Sequence, residues 1–185
     1  RPPKFIYEKW KRTTPDENAS QLDVDRFVDI ELNRWVNGYN GLTGRHYAYL
    51  TQGSIKTAKG IVIKPWWRSI DDHVFEQGDE SRKYGEDQLI VKRREFGLTS
   101  IYAGFEPIYN AIINPGSTYL ITSADAKRLQ TTFSQKVVVM YENLDEAFRP
   151  ARLHERMAGF LHLGSKNKKT GKIEGVNSQI LCVET

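Results

Sequence analysis

Cysteine is almost absent from this chain: Cys182 is the only one in 185 residues. That excludes an internal disulfide framework and any multi-cysteine zinc site, and it fits a reducing, intracellular setting. No apolar run approaches the ~20 residues of a membrane span, so no membrane partner is expected. No internal repeat is visible. The first residues, RPPKF, are polar and proline-bearing and do not read as a signal peptide. An initiator methionine is also missing, since the chain starts at Arg1; this is read as the mark of a fragment of a larger protein. Charge of one sign is in only mild excess: 27 Lys and Arg against 23 Asp and Glu leave +4. Such a balance permits a polyanionic partner without demanding one.

The residues present describe an ordinary globular chain, 39% hydrophobic and 27% charged. A chain of this length buries roughly 70% of its unfolded surface without staples. Its basic residues cluster at Lys56, Lys59 and Lys64, at Lys92, Arg93 and Arg94, and at Lys166, Lys168, Lys169 and Lys172. Residues 1–20 read as an extended arm, broken by Pro2, Pro3 and Pro15, with Phe5, Ile6 and Trp10 lying on the domain surface. Residues 21–185 form the domain itself. A helix is predicted over 22–36, and a short strand at 61–63. Residues 45–51 are aromatic-rich and of undecided type, and 76–87 read as an acidic loop. From there the pattern is regular. A buried strand at 88–92, a helix at 99–113 kinked by Pro107, a strand at 117–121 and a helix from a Ser123 cap to about Asp145 predict a βαβ arrangement. Two further strands follow at 159–163 and 176–183. The fold class is therefore α/β, a parallel sheet flanked by helices.

The segment most informative about chemistry is Lys92-Arg93-Arg94-Glu95-Phe96-Gly97-Leu98-Thr99-Ser100. It lies between a predicted strand and a predicted helix, where backbone N–H groups at the helix start can cradle a phosphate. Against the pattern GxxxxGK[ST], Gly97 takes the second glycine, Thr99 the hydroxyl that binds Mg²⁺, and Lys92 the place of the first glycine. Leu98 stands where the lysine would be. A cation must still neutralise the phosphates, and Lys92, Arg93 or Arg94 can supply it. The same residues also suit a basic surface turn, with Thr99 and Ser100 as a helix cap.

The stretch IVKRREFGLTSIYAG resembles the variant Walker A motif of the large terminase subunits of tailed bacteriophages, in which the lysine stands at the start of the loop. Upstream, RHYAYLTQGSIK and PWWRSIDD resemble that family too, as does TYLITSADAKRLQTTFSQKV downstream, so the similarity spans roughly residues 40–185. The resemblance implies a P-loop NTPase-like sheet, here the N-terminal part of an ATPase domain without the nuclease domain. It implies ATP and Mg²⁺ as cofactors, residues 92–100 as the nucleotide site, Lys92 and Arg94 as catalytic cations, and Thr99 as the metal ligand. It also implies a motor that drives double-stranded DNA into a capsid. The expected partners are a portal protein, a small terminase subunit and further copies in a ring, in the host cytoplasm and transiently on the procapsid.

A Walker B strand with its carboxylates belongs to that layout. Val137–Glu142 resembles one superficially but recurs at helical spacing and reads as helix. The catalytic carboxylate is therefore expected beyond Thr185, and this chain alone is expected to bind nucleotide weakly and to hydrolyse it negligibly. A non-enzymatic basic DNA-binding module or virion interaction module is the competing reading. Among the remaining residues, Asp71-Asp72-His73 reads as solvated loop, and His46, His154 and His162 carry no assigned chemistry. Trp66-Trp67 reads as a core anchor at a strand end, and Tyr47 or Tyr49 as a neighbour of the adenine. The Lys166–Lys172 cluster reads as a solvated hairpin tip, and Cys182 as packing.

Overall fold

The computed structural model describes residues 6–91, 96–153 and 158–185. The chain divides into two compact units. Residues up to Gly53 together with Lys64–Gly97 form the first, and Ser54–Ile63 together with Leu98–Thr185 the second.

The first unit is helical. Its elements are α1 (Ile6–Lys11), α2 (Gln21–Asn37), α3 (Gly44–Gln52) and α4 (Ser69–Tyr84). The start of α2 is fixed by Ser20, whose hydroxyl accepts from the Asp23 amide and donates to the Asp23 carboxylate. Its end is set by Gly38 at φ 86°. The predicted extended arm is corrected here. Between the prolines, Ile6 and Trp10 stand one helical turn apart, and both are buried by α1. Trp10 is tied down by a polar anchor: its Nε1 donates to Glu31 of α2 at 2.9 Å. Glu31 is fully buried and also accepts from the Tyr47 hydroxyl at 2.9 Å while pairing with Arg34. Such a buried carboxylate persists because every partner is in place.

A second correction concerns 76–87. That acidic stretch is mostly helix, since α4 continues to Tyr84 and stops at left-handed Gly85. The buried positions of α4 are Asp71, Phe75 and Gly78. Their spacing is helical, but two of the three residue types are not apolar.

The second unit is mixed α/β. It contains a small antiparallel pair, β1 (Ile55–Lys56) with β2 (Val62–Ile63), and a three-stranded sheet. That sheet has the order β3–β5–β4, from β3 (Thr118–Ser123), β4 (Phe160–Lys166) and β5 (Ile173–Glu184). β3 runs parallel to β5, and β4 runs antiparallel to it. Helices flank the sheet. One continuous helical run covers 98–113: α5 (Leu98–Ser100), a π turn at Ile101–Phe105 and α6 (Glu106–Ile113). A second is built as α7 (Ala126–Thr132), a π turn at Phe133–Val137 and α8 (Val138–Glu142).

The first π turn has a local cause. Pro107 has no N–H to offer the preceding turn, and the Glu106 amide reaches back five residues to the Ile101 carbonyl. A Cβ on Gly104 would lie 3.3 Å from Lys136 Cβ, so the two π turns approach through a glycine. The core of the unit gathers Ile101, Phe105, Ile108, Val137, Met140, Leu161, Leu163 and Ile180.

The predicted buried strand at 88–92 is not found over 88–91. These residues are irregular, and Leu89 and Val91 are 93% and 90% exposed. No strand among the described residues pairs with this run, so its apolar side chains stay in solvent. The parallel neighbour of β3 is instead β5. Ser123 ends β3 rather than capping a helix, and Asp125 takes the cap by accepting from the Arg128 amide at 2.9 Å. The helical reading of 137–142 holds. No helix of the described residues is long and apolar enough to cross a membrane.

Candidate functional site

Two parts of the second unit carry residues of interest, the helical run at 98–113 and the parallel pair β3 and β5. The run at 98–113 is about 24 Å long at 1.5 Å per residue, and the six residues of β3 extend about 20 Å. A short turn at 114–117 joins them, held by the Gly116 amide donating to the Val176 carbonyl at 2.7 Å. α6 packs on both β3 and β5. At the carboxyl ends of the parallel strands, Ser123 of β3 stands in register with Glu184 of β5. Ligands of α/β sheets gather at this end of parallel strands.

Among the motif residues, Leu98 and Ser100 are buried, and Thr99 between them is exposed. Leu98, in the lysine position of the standard motif, is 5% exposed and belongs to the core. Thr99 is exposed on the first helical turn. Lys92, Arg93, Arg94 and Glu95 lie outside the described residues. Glu184 was not anticipated as a site residue. Its signal is readable in hindsight: Ile180-Leu181-Cys182-Val183-Glu184 is four apolar residues followed by a carboxylate on a parallel strand. A parallel partner for that strand was sought in the wrong place.

The first unit holds the other end of the motif. Gly97 is left-handed at φ 85°, and a Cβ there would lie 3.3 Å from Arg68 Nη2. Both Nη1 and Nη2 of Arg68 donate to the Phe96 carbonyl at 3.4 Å. The same guanidinium grips Asp71 bidentately, Nε to Oδ2 at 2.7 Å and Nη2 to Oδ1 at 2.6 Å. Asp71 is 1% exposed, so it is a buried anchor and not the solvated loop residue expected.

Its neighbour Asp72 turns to a different partner. Asp72 Oδ1 accepts from His46 Nδ1 at 2.7 Å, and Oδ2 accepts from Trp67 Nε1 at 2.9 Å. The His46 ring is buried and stacks on Phe75 at 4.8 Å. Burial pushes its pKa below the ordinary imidazole value, against the opposing pull of Asp72 and Asp71. With Nδ1–H donated to Asp72, Nε2 is a buried acceptor with no partner among the described residues. His46 had been assigned no chemistry. Its partner lies on another helix, and no local spacing announces it.

Trp66 is half exposed rather than a core anchor. Tyr47 and Tyr49 are committed to the core, at 2% and 1% exposure. Burial raises the pKa of both hydroxyls. Cys182 is half-buried, and burial raises its thiol pKa too. No group of three His, Cys, Asp or Glu side chains converges on one point among the described residues.

Taken singly, the Thr99 hydroxyl and the Glu184 carboxylate are hard oxygen donors of the kind Mg²⁺ prefers, and a helix amino end favours negative charge. No protein-family model matches the chain, and no curated protein matches it.

Proposed function

We propose that this chain is the nucleotide-binding part of a DNA-packaging motor of the large-terminase kind, with a P-loop NTPase-like fold. One observation carries the reading. The helix that opens at the motif leads into a parallel pair of strands, and one of these strands ends in a carboxylate, Glu184. Helix amino end, motif hydroxyl and strand-end carboxylate are the parts with which P-loop enzymes hold Mg²⁺ and phosphate.

In this reading the N–H groups of 97–100 face the phosphates with the positive end of the helix dipole behind them. Lys92 and Arg94 act as the catalytic cations, assisted by Arg93. The burial of Leu98 supports placing the cation at the start of the loop, because the usual lysine position is occupied by core. Thr99 and Glu184 offer oxygens to Mg²⁺, which when bound neutralises charge on the phosphate oxygens. Arg68 holds the Phe96 carbonyl and the close approach at Gly97, so it positions the loop without touching the nucleotide. The rest of the reading follows from the motor: double-stranded DNA as substrate, a portal protein and a small terminase subunit as partners, and a ring of copies in the host cytoplasm.

Thr99→Ala tests the proposal against the competing binding-module reading. Titrated side by side with a fluorescent ATP analogue and with duplex DNA, the variant should lose at least tenfold in Mg²⁺-nucleotide affinity and keep its DNA affinity. Equal nucleotide affinity of variant and wild type would remove Thr99 from the site.

A further inference from the structure

We propose that the hairpin joining β4 and β5 is a docking element for the phosphate backbone of double-stranded DNA, with Lys166, Lys168, Lys169 and Lys172 as its cations. The identity of the polyanion rests on the motor reading; the geometry of the hairpin does not.

The segment from Lys166 to Lys172 has four lysines in seven residues and no acid. All four are exposed, and no ion pair neutralises any of them among the described residues. The nearest acid along the chain, Glu174, accepts from Asn167 Nδ2 at 2.6 Å and keeps its charge at the base of the hairpin. Four lysines against that one carboxylate leave the tip net positive.

The tip is also built to hold its shape. β4 and β5 remain paired up to Lys166 and Ile173. Beyond that pair, the Asn167 amide donates to the Lys172 carbonyl at 2.9 Å and the Gly171 amide to the Asn167 carbonyl at 2.8 Å. Asn167 Oδ1 accepts from the amides of Lys169 and Thr170 at 2.8 and 3.0 Å. Gly171, at φ 70°, allows the chain to reverse. A fixed backbone spares part of the ordering cost of binding. A two-stranded ribbon is also narrow enough to enter a major groove, where lysines reach phosphates on either side.

The test is fluorescence anisotropy of a labelled duplex of arbitrary sequence with the 185-residue chain, at salt concentrations from about 50 to 200 mM. The hairpin variant combines Lys166→Gln, Lys168→Gln, Lys169→Gln and Lys172→Gln. A control with Lys9→Gln, Lys11→Gln, Lys59→Gln and Lys127→Gln carries the same change in net charge. Circular dichroism checks that both remain folded.

The hairpin variant should bind at least tenfold more weakly at 100 mM salt, and the control should stay within threefold of wild type. The slope of log affinity against log salt should become shallower by about 2–4, since each phosphate contact contributes about 0.9. Three results would overturn the inference: an unchanged hairpin variant, a control that loses as much as the hairpin variant, or a wild-type chain that does not bind duplex DNA. Thr99→Ala should leave all of this untouched, so failure at the hairpin and failure at the nucleotide site are distinguishable.

Discussion

At the scale of residues, two adjacent acids take their partners from different places in the chain. Asp71 and Asp72 are adjacent, yet on a helix they point about 100° apart; one meets Arg68 and the other His46. Spacing alone reads them as a solvated pair; in the structure Asp71 is buried on Arg68, three residues before it, and Asp72 pairs with His46 of α3, which no local pattern announces. His46 has a measurable signature. Its folded pKa lies below the unfolded value of about 6.5, so below that pH the unfolded chain binds a proton that the folded chain refuses. Stability should therefore fall as pH drops from about 7.5 toward 5.5, by at most about 1.4 kcal/mol per unit from this group. Urea unfolding of wild type and His46→Gln at the two pH values should show a flatter dependence in the variant; parallel curves would contradict the assignment. Gly97→Ala addresses the backbone. A left-handed non-glycine residue costs about 1–2 kcal/mol, and the new Cβ would crowd Arg68. A melting curve indistinguishable from wild type would mean that the turn tolerates a side chain.

At the scale of elements, legibility followed the apolar pattern. The helix predicted over 22–36 is found at Gln21–Asn37, and the one over 99–113 runs 98–113. The strands predicted at 159–163 and 176–183 overlap β4 and β5, with a hairpin at the lysines between them. Where burial was carried by other residue types the pattern was silent. α4 buries Asp71, Phe75 and Gly78, so two of three stripe positions carried no hydrophobic signal. α2 likewise has Glu31 at the centre of its buried stripe. The opposite error occurred at 88–91, where apolar residues are exposed because no strand pairs with them among the described residues. β5 had been read as one more strand, and only its parallel register with β3 brings Glu184 into consideration. Its role is testable through Mg²⁺. Glu184→Gln is exposed and should fold normally, while the enhancement of nucleotide affinity by Mg²⁺ should fall severalfold in a titration series. An unchanged enhancement would remove Glu184 from the site.

At the scale of the whole molecule, the chain is two compact units, each with its own elements: in the first Arg68 holds the Phe96 carbonyl, and in the second the 98–113 helical run precedes the parallel strands β3 and β5. Glycine and threonine spacing is a local property and can be read from sequence; the partners of Arg68 and the parallel register arrive only by folding. The central claim is that this chain binds a Mg²⁺-nucleotide, and calorimetric titration of the chain with ATP, with and without Mg²⁺, tests it most directly. The account predicts saturable one-to-one binding that Mg²⁺ strengthens. Titrations without saturable heat, or with identical affinity in the presence and absence of Mg²⁺, would contradict it.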